Sequence, residues 1–290
     1  MKTRMTRLFI TQNFLRTLSQ CPYLALRVKP NEISSEETIS LEVNYYIFTT
    51  INCLLNARIL EENGSIPSGK RTFSNMSPLL FRNFFTKNKK FIEQFNLDID
   101  LRRVCDNMDT RLHDLTNHFT SLGQGVNVSG HLTDENGYAL SKTDGHAVID
   151  SIFLDDLDRV YINVREYINE RFTDDSYKTC VAASMKPEAA LPLFLFESKF
   201  GIKAEGLIYD LISVHPDEKR FFMRNIVTAT EFRRKCWTRQ LAAAVRLTRI
   251  LSSESDRFYG GKELFLCADS SHCVNCPYFT KCEFMPKISD

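Results

Sequence analysis

The chain of 290 residues has no hydrophobic run long enough to span a bilayer without charges, no internal repeat and no low-complexity segment. Membrane-spanning, solenoid and disordered classes are thereby set aside. It also lacks an excess of charge of either sign: 37 Lys and Arg face 36 Asp and Glu. With a net charge of +1 there is no global field directed at nucleic acid, so any basic surface must be local. The basic N-terminus, MKTRMTRLFITQNFLRTL, lacks the unbroken apolar stretch and small-residue cleavage site of a signal peptide and reads as mature protein. At 43% hydrophobic and 25% charged residues, the composition is that of an ordinary globular chain able to bury a substantial core.

Cysteine is sparse except at the end. Of nine cysteines, four (Cys267, Cys273, Cys276 and Cys282) fall within the last twenty-four residues, three of them spaced C-x2-C-x5-C. Soft thiolates converging from such short loops select zinc, copper or an iron–sulfur cluster. A zinc ribbon would present a second C-x2-C knuckle, which is missing. The fourth ligand must therefore come from Cys267 or from a distance, with Cys21 in LSQCPYLAL as the distant candidate; His272 beside Cys273 leaves zinc open. An odd number of cysteines gathered at one end suits a metal site in a reducing, cytoplasmic compartment better than a disulfide framework.

Along the chain, apolar positions at helical spacing predict a helix over residues 7–27, broken by Pro22. Residues 28–38 read as a loop and 39–63 as a helix ended by Asn63-Gly64, with Cys53 on its apolar stripe. A long helical region follows from about 77 to 121. Alternation between Gly, Asp and Asn turns then predicts strands near 126–132, 146–154 and 159–165, the last two joined by the acidic tip FLDDLDR. A loop over 169–186, a helix from Pro187 to Gly201, a strand in AEGLIYDLISV, and one or two basic amphipathic helices from 218 onward complete the pattern. This is an α/β chain with a helical N-terminal part, read as one domain: 1–121 helical, 122–265 the sheet and basic helix, 266–290 the cysteine tail. Phosphate-contacting candidates are Arg233, Arg234 and Arg239 on the basic helix.

The informative pair is the hairpin 146–165. Asp150 stands in the apolar strand AVIDSIF, out of place unless it lines a site, and Asn163-Val164-Arg165 follows in the next strand. Alternation puts 163 and 165 on one face. An acid in one strand with acid-x-Lys in the next is an arrangement that holds divalent metal for phosphodiester hydrolysis, the carboxylates ligating and the lysine orienting water and offsetting charge.

With these residues the chain resembles the RecB-type PD-(D/E)XK nucleases that carry an iron–sulfur cluster, a group including the AddB nuclease domain, CRISPR-associated RecB-like exonucleases and phage relatives. Cys21-Pro22-Tyr23 and the trio Cys273, Cys276 and Cys282 match the family's cluster framework, with Cys267 as a substitute for Cys273. The resemblance implies a restriction-endonuclease-like core, a small mixed sheet flanked by helices. It also implies a 4Fe-4S cluster on the four cysteines, and Mg2+ or Mn2+ held by His113, Asp150 and position 163. The implied partners are DNA, single-stranded or at ends, and a helicase or recombination protein. Three positions depart from the family: Asn163 replaces the second acid, Arg165 the lysine, and Ala190-x3-Phe194 the helical Gln-x3-Tyr. Asn is a weaker ligand for a hard cation, and Arg does not release its proton. Two readings follow: a metal-dependent DNA exonuclease of reduced activity using Asp150, Asn163 and Arg165, or a catalytically inactive nuclease-fold subunit that binds DNA or supports an assembly.

Overall fold

The computed structural model describes residues 8–20, 35–62, 93 and 97–254. All five candidate cluster cysteines, Cys21, Cys267, Cys273, Cys276 and Cys282, lie outside that range, as does most of the loop and helix expected over 63–96.

The sheet grows from β3 (Ala139–Leu154), a strand of 16 residues that pairs antiparallel along its length with β2 (Thr120–Thr133). Its other edge is shared. β1 (Leu8–Thr11) runs parallel to residues 143–146, and β4 (Val160–Ile168) runs antiparallel to 151–154. Residues 147–150 face neither strand. β5 (Gly206–Ser213) continues the sheet parallel to β4, and β6 (Phe222–Thr228) closes it antiparallel, giving six strands in all. The β4-to-β5 crossover carries α4 (Ser176–Ser184) and α5 (Pro187–Phe200), as a parallel connection requires.

The faces are covered by different helices. One core packs Ile149, Ile152, Ile162, Val164, Leu207 and Tyr209 against α5 and the buried Trp237 and Leu241 of α6 (Glu231–Glu254). The other packs Phe153, Tyr161, Ile208 and Ile212 against Ile51 and Leu55 of α2 (Ser35–Glu62) and Met108 and Leu115 of α3 (Leu97–Thr116). Central β5 is buried at every position because both of its faces are covered. Each fully buried aliphatic side chain contributes about 1.5–3 kcal/mol by area, so the two layers hold the sheet from both sides. Gly145 marks a tight crossing: a Cβ there would stand 2.9 Å from Leu132 and 3.0 Å from Leu195, so α5 approaches β3 closely only because that position is bare. Gly201 ends α5 in the left-handed conformation, φ 67°, and caps it onto the Glu197 carbonyl.

This architecture is α/β with a mixed, open sheet flanked by helices. Several expected elements change. Residues 8–11 form a strand before α1 (Gln12–Gln20), α2 begins at Ser35, and α4 occupies part of the expected loop 169–186. The segment 222–228 is an edge strand rather than the start of a helix. Cys53 is exposed on α2 and not part of its apolar stripe. The acidic tip is a self-contained turn: the Asp155 carboxylate accepts from the backbone N–H groups of Leu157 and Arg159 and pairs with the Arg159 guanidinium, which holds it below the usual carboxylate range. No helix among the described residues is long and apolar enough to cross a membrane.

Candidate functional site

The interruption in the β3 edge builds the site. Where β1 has ended and β4 has not yet paired, side chains take over the ladder's hydrogen bonds. The Gln12 side chain at the start of α1 accepts from the Val148 backbone N–H at 3.4 Å. The Asp150 carboxylate accepts from the Arg165 backbone N–H at 2.7 Å. Asp150 thus sits in the split between β3 and β4, buried, and its other oxygen accepts from Asn52 Nδ2 of α2 at 3.3 Å. Burial pushes its carboxyl above the ordinary range, against the partly offsetting Arg165 charge and these two hydrogen bonds.

Arg165 is the centre of the arrangement. Its guanidinium donates to Asn52 Oδ1 at 3.2 Å, Asn56 Oδ1 at 2.5 Å and Gln124 Oε1 at 3.4 Å, and closely to the Ser151 hydroxyl. Ser151 passes a hydrogen bond on to Gln124 Oε1 at 2.6 Å. Asn52 Oδ1 also accepts from the Tyr167 hydroxyl at 2.8 Å, so one amide bridges the acid, the guanidinium and the phenol. Burial raises the Tyr167 phenol, which therefore stays a proton donor. The fork is tied to α2, β2 and β3 together, leaving its Nε as a buried donor with no partner.

Asn163 lies one register step back on the same face, fully buried. Its amide nitrogen donates to Asp210 Oδ2 at 2.8 Å and to the Ile208 carbonyl at 3.1 Å, while its Oδ1 has no partner. Asp210 on β5 is in turn gripped by Arg224 of β6 at 2.6 and 2.8 Å. The Arg224 guanidinium lies against the Phe119 and Phe222 rings and donates to the Leu115 carbonyl at 2.7 Å. Two acids and two arginines thus alternate across the sheet beneath α2 and α3. Glu166 is on the opposite face, where it accepts a close hydrogen bond from Tyr209 and lies 3.5 Å from Arg16.

The structure therefore brings Asp150, Asn163 and Arg165 into one buried neighbourhood, and it does not bring His113 there. His113 is exposed, with its Nδ1 3.7 Å from Glu62 at the C-terminal end of α2. Asn52, the α2 residue beside Asp150, is ten positions earlier, about 15 Å along the helix axis. Arg234 is also not free. It donates to both oxygens of Glu197, at 2.8 and 2.7 Å, and to the carbonyls of Ala229 and Ala204, stitching α5 to α6. Arg233 donates to the Thr228 carbonyl at 3.1 Å, and the exposed Arg239 lies 3.7 Å from Glu135. Asn52, Asn56, Gln124 and Asp210 belong to the site without having stood out in the sequence. The i, i+4 spacing of the two asparagines on one helix face was the available signal.

A hard divalent cation needs several free oxygen donors. Here the oxygens of Asp150, Asn52, Asn56, Gln124 and Asp210 are engaged by protein donors, and a permanently charged guanidinium stands among them. The buried acceptor left over beside these groups, Asn163 Oδ1, is neutral. Among the described residues no group of three His, Cys, Asp or Glu side chains converges. This donor set does not fit Mg2+ or Mn2+. Nor can Arg165 act as a base, because it does not deprotonate.

No protein-family model matches the chain. No curated protein matches it either. Among solved structures it is similar to the crystal structure of SSO0001, at 14% identity and a TM-score of 0.35, over 80% of this chain and 96% of that one. Likeness at that level carries no argument about fold or function.

Proposed function

We propose that this chain is a nuclease-fold subunit without hydrolytic activity, retained to bind DNA or support a DNA-processing assembly. Its α/β scaffold would be stapled by a 4Fe-4S cluster on Cys21, Cys273, Cys276 and Cys282. The cysteine framework and the Asp150/163/165 positions support the RecB-type PD-(D/E)XK relationship. The observation that carries the non-catalytic reading is the caging of Arg165: the side chain standing where that family places its lysine is fixed by Asn52, Asn56, Gln124 and Ser151. With its terminal N–H donors taken by these four side chains, the guanidinium contributes to folding and has none left to orient a water or meet a phosphate. The cluster's part is structural, because ligands at residues 21 and 282 would close nearly the whole chain into one loop and couple metal binding to folding.

The test is cleavage of end-labelled single-stranded DNA by anaerobically purified protein with manganese, beside Asp150→Ala, with binding measured on the same samples. Salt-sensitive DNA binding without cleavage is the expected result. Manganese-dependent cleavage that disappears in Asp150→Ala would replace this reading with an active exonuclease.

A further inference from the structure

Arg234 does more than join two helices. Its bonds to Glu197 and to the Ala204 and Ala229 carbonyls, with the Ala204 N–H on Glu197 at 2.8 Å and the Ala229 N–H on the Glu205 carbonyl at 2.8 Å, lace together the end of α5, the loop 201–205 and the start of α6. That junction carries apolar side chains in solvent: Phe200 is 44% exposed, Ile202 49% and Phe232 78%, the last being the most exposed large apolar residue among those described. The Phe200 ring is held, not loose, with the Phe196 ring 5.0 Å away and the Lys199 ammonium 5.4 Å from its centroid. Lys199 is itself tied to the Asn127 carbonyl at 2.9 Å.

Exposed Lys203, next to Ile202, and the first-turn Arg233, next to Phe232, add positive charge to this junction, where the acids are Glu197, paired with Arg234, Glu231, 3.7 Å from Lys235, and the half-buried Glu205. Protein–protein interfaces are depleted in lysine at their centres. Exposed aromatic rings flanked by lysine and arginine are what single strands use: bases stack on the rings and phosphates meet the cations, with little sequence preference. We infer that the α5–α6 junction, with Phe200 and Phe232 as stacking platforms and Lys199, Lys203 and Arg233 as phosphate contacts, is a binding surface for single-stranded nucleic acid. This rests on the proposal that the chain binds DNA and keeps Arg233 of the expected contacts: Arg234 builds the surface from behind and does not touch the ligand.

The experiment is fluorescence-anisotropy binding of labelled oligo(dT) to the full-length protein over a salt series, for the wild type, Phe200→Ala, Phe232→Ala and the double variant Lys199→Gln/Lys203→Gln. All substituted residues are at the surface, and thermal melts confirm that the variants stay folded. Each phenylalanine variant is expected to bind about five-fold or more weakly, and the lysine pair to lower the salt slope by about 1.4. Wild-type binding that all four proteins share would overturn this inference while leaving DNA binding intact. No salt-sensitive binding by the wild type would overturn both. A change in oligomeric state in the phenylalanine variants, without a change in DNA affinity, would overturn it in favour of a second copy on this face.

Discussion

Replacing Asn163 by aspartate would supply the second acid of the nuclease pattern that the chain resembles, at a high cost in stability. The amide nitrogen of Asn163 is a donor to a carboxylate, Asp210 Oδ2 at 2.8 Å, and to the Ile208 carbonyl at 3.1 Å, in a position with no exposure. A hydrogen bond to a charged group is worth about 1.5–3 kcal/mol and a neutral one about 0.5–1.5 kcal/mol. N163D loses both and sets two buried carboxyls in contact, so a loss of about 3–5 kcal/mol is expected at neutral pH, the scale of an uncompensated buried charge. The sign with pH follows from linkage. The introduced carboxyl would have its folded pKa raised above an unfolded value of about 3.9, so the folded state binds the extra proton. The charge part of the deficit is therefore absent below about pH 4, grows as pH rises and levels off above the folded pKa, while the part due to the lost amide donors remains. Asn163→Ala also loses the donors but adds no charge, so its deficit relative to wild type should be flat. Urea unfolding of the three proteins at about pH 5 and about pH 8 separates the cases. Equal, pH-independent deficits for both variants would refute the assignment of Asn163 as the donor to Asp210.

Three further expectations concern Arg165, Asp150 and the α5–α6 junction. Arg165→Met leaves Asn52, Asn56 and Ser151 without their shared donor and should lower stability by about 3–5 kcal/mol in denaturant titrations, with Arg165→Lys recovering only part because an ammonium does not span the fork. Asp150 has a raised folded pKa, so its contribution to stability is present in acid and lost as pH rises from about 4 through that folded value; Asp150→Asn should flatten this part of the stability–pH curve. Arg234→Ala should destabilise by about 2–4 kcal/mol, whereas Arg239→Ala, at an exposed pair, should fall within about 0.5 kcal/mol of wild type by thermal melting.

Much of the sheet was legible because its strands obey period two between turn residues: β2 and β3 contain the expected segments, β4 starts one residue later than expected and runs three further, and Gly201 stops α5 as its position suggests. Asp150 was conspicuous because a carboxylate in AVIDSIF violates the local pattern. What could not be read was the interruption of the β3 edge, since the pairing of residues 143–146 with β1 spans more than 130 residues, whereas that of 151–154 with β4 is a local hairpin. The cage around Arg165 was hidden for a related reason: Asn52, Asn56 and Gln124 look like solvated polar positions until α2 and β2 are laid beside β4. Phe222–Thr228 was mistaken for helix because its apolar residues run into the amphipathic stretch after Thr230; cross-strand pairing with β5 and the Arg224–Asp210 bond decide it. Arg233, Arg234 and Arg239 looked alike as charges, and only the partners of Arg234 set it apart.

At the heart of this reading, the oxygens around Asp150 are taken by protein donors, with the Arg165 guanidinium fixed among them, so that no divalent cation is held there. Calorimetric titration of manganese into the anaerobically purified wild type, Asp150→Ala and Arg165→Met tests it most directly. The wild type is expected to show no manganese binding that depends on Asp150. Saturable binding by the wild type, lost in Asp150→Ala and undiminished in Arg165→Met, would contradict it.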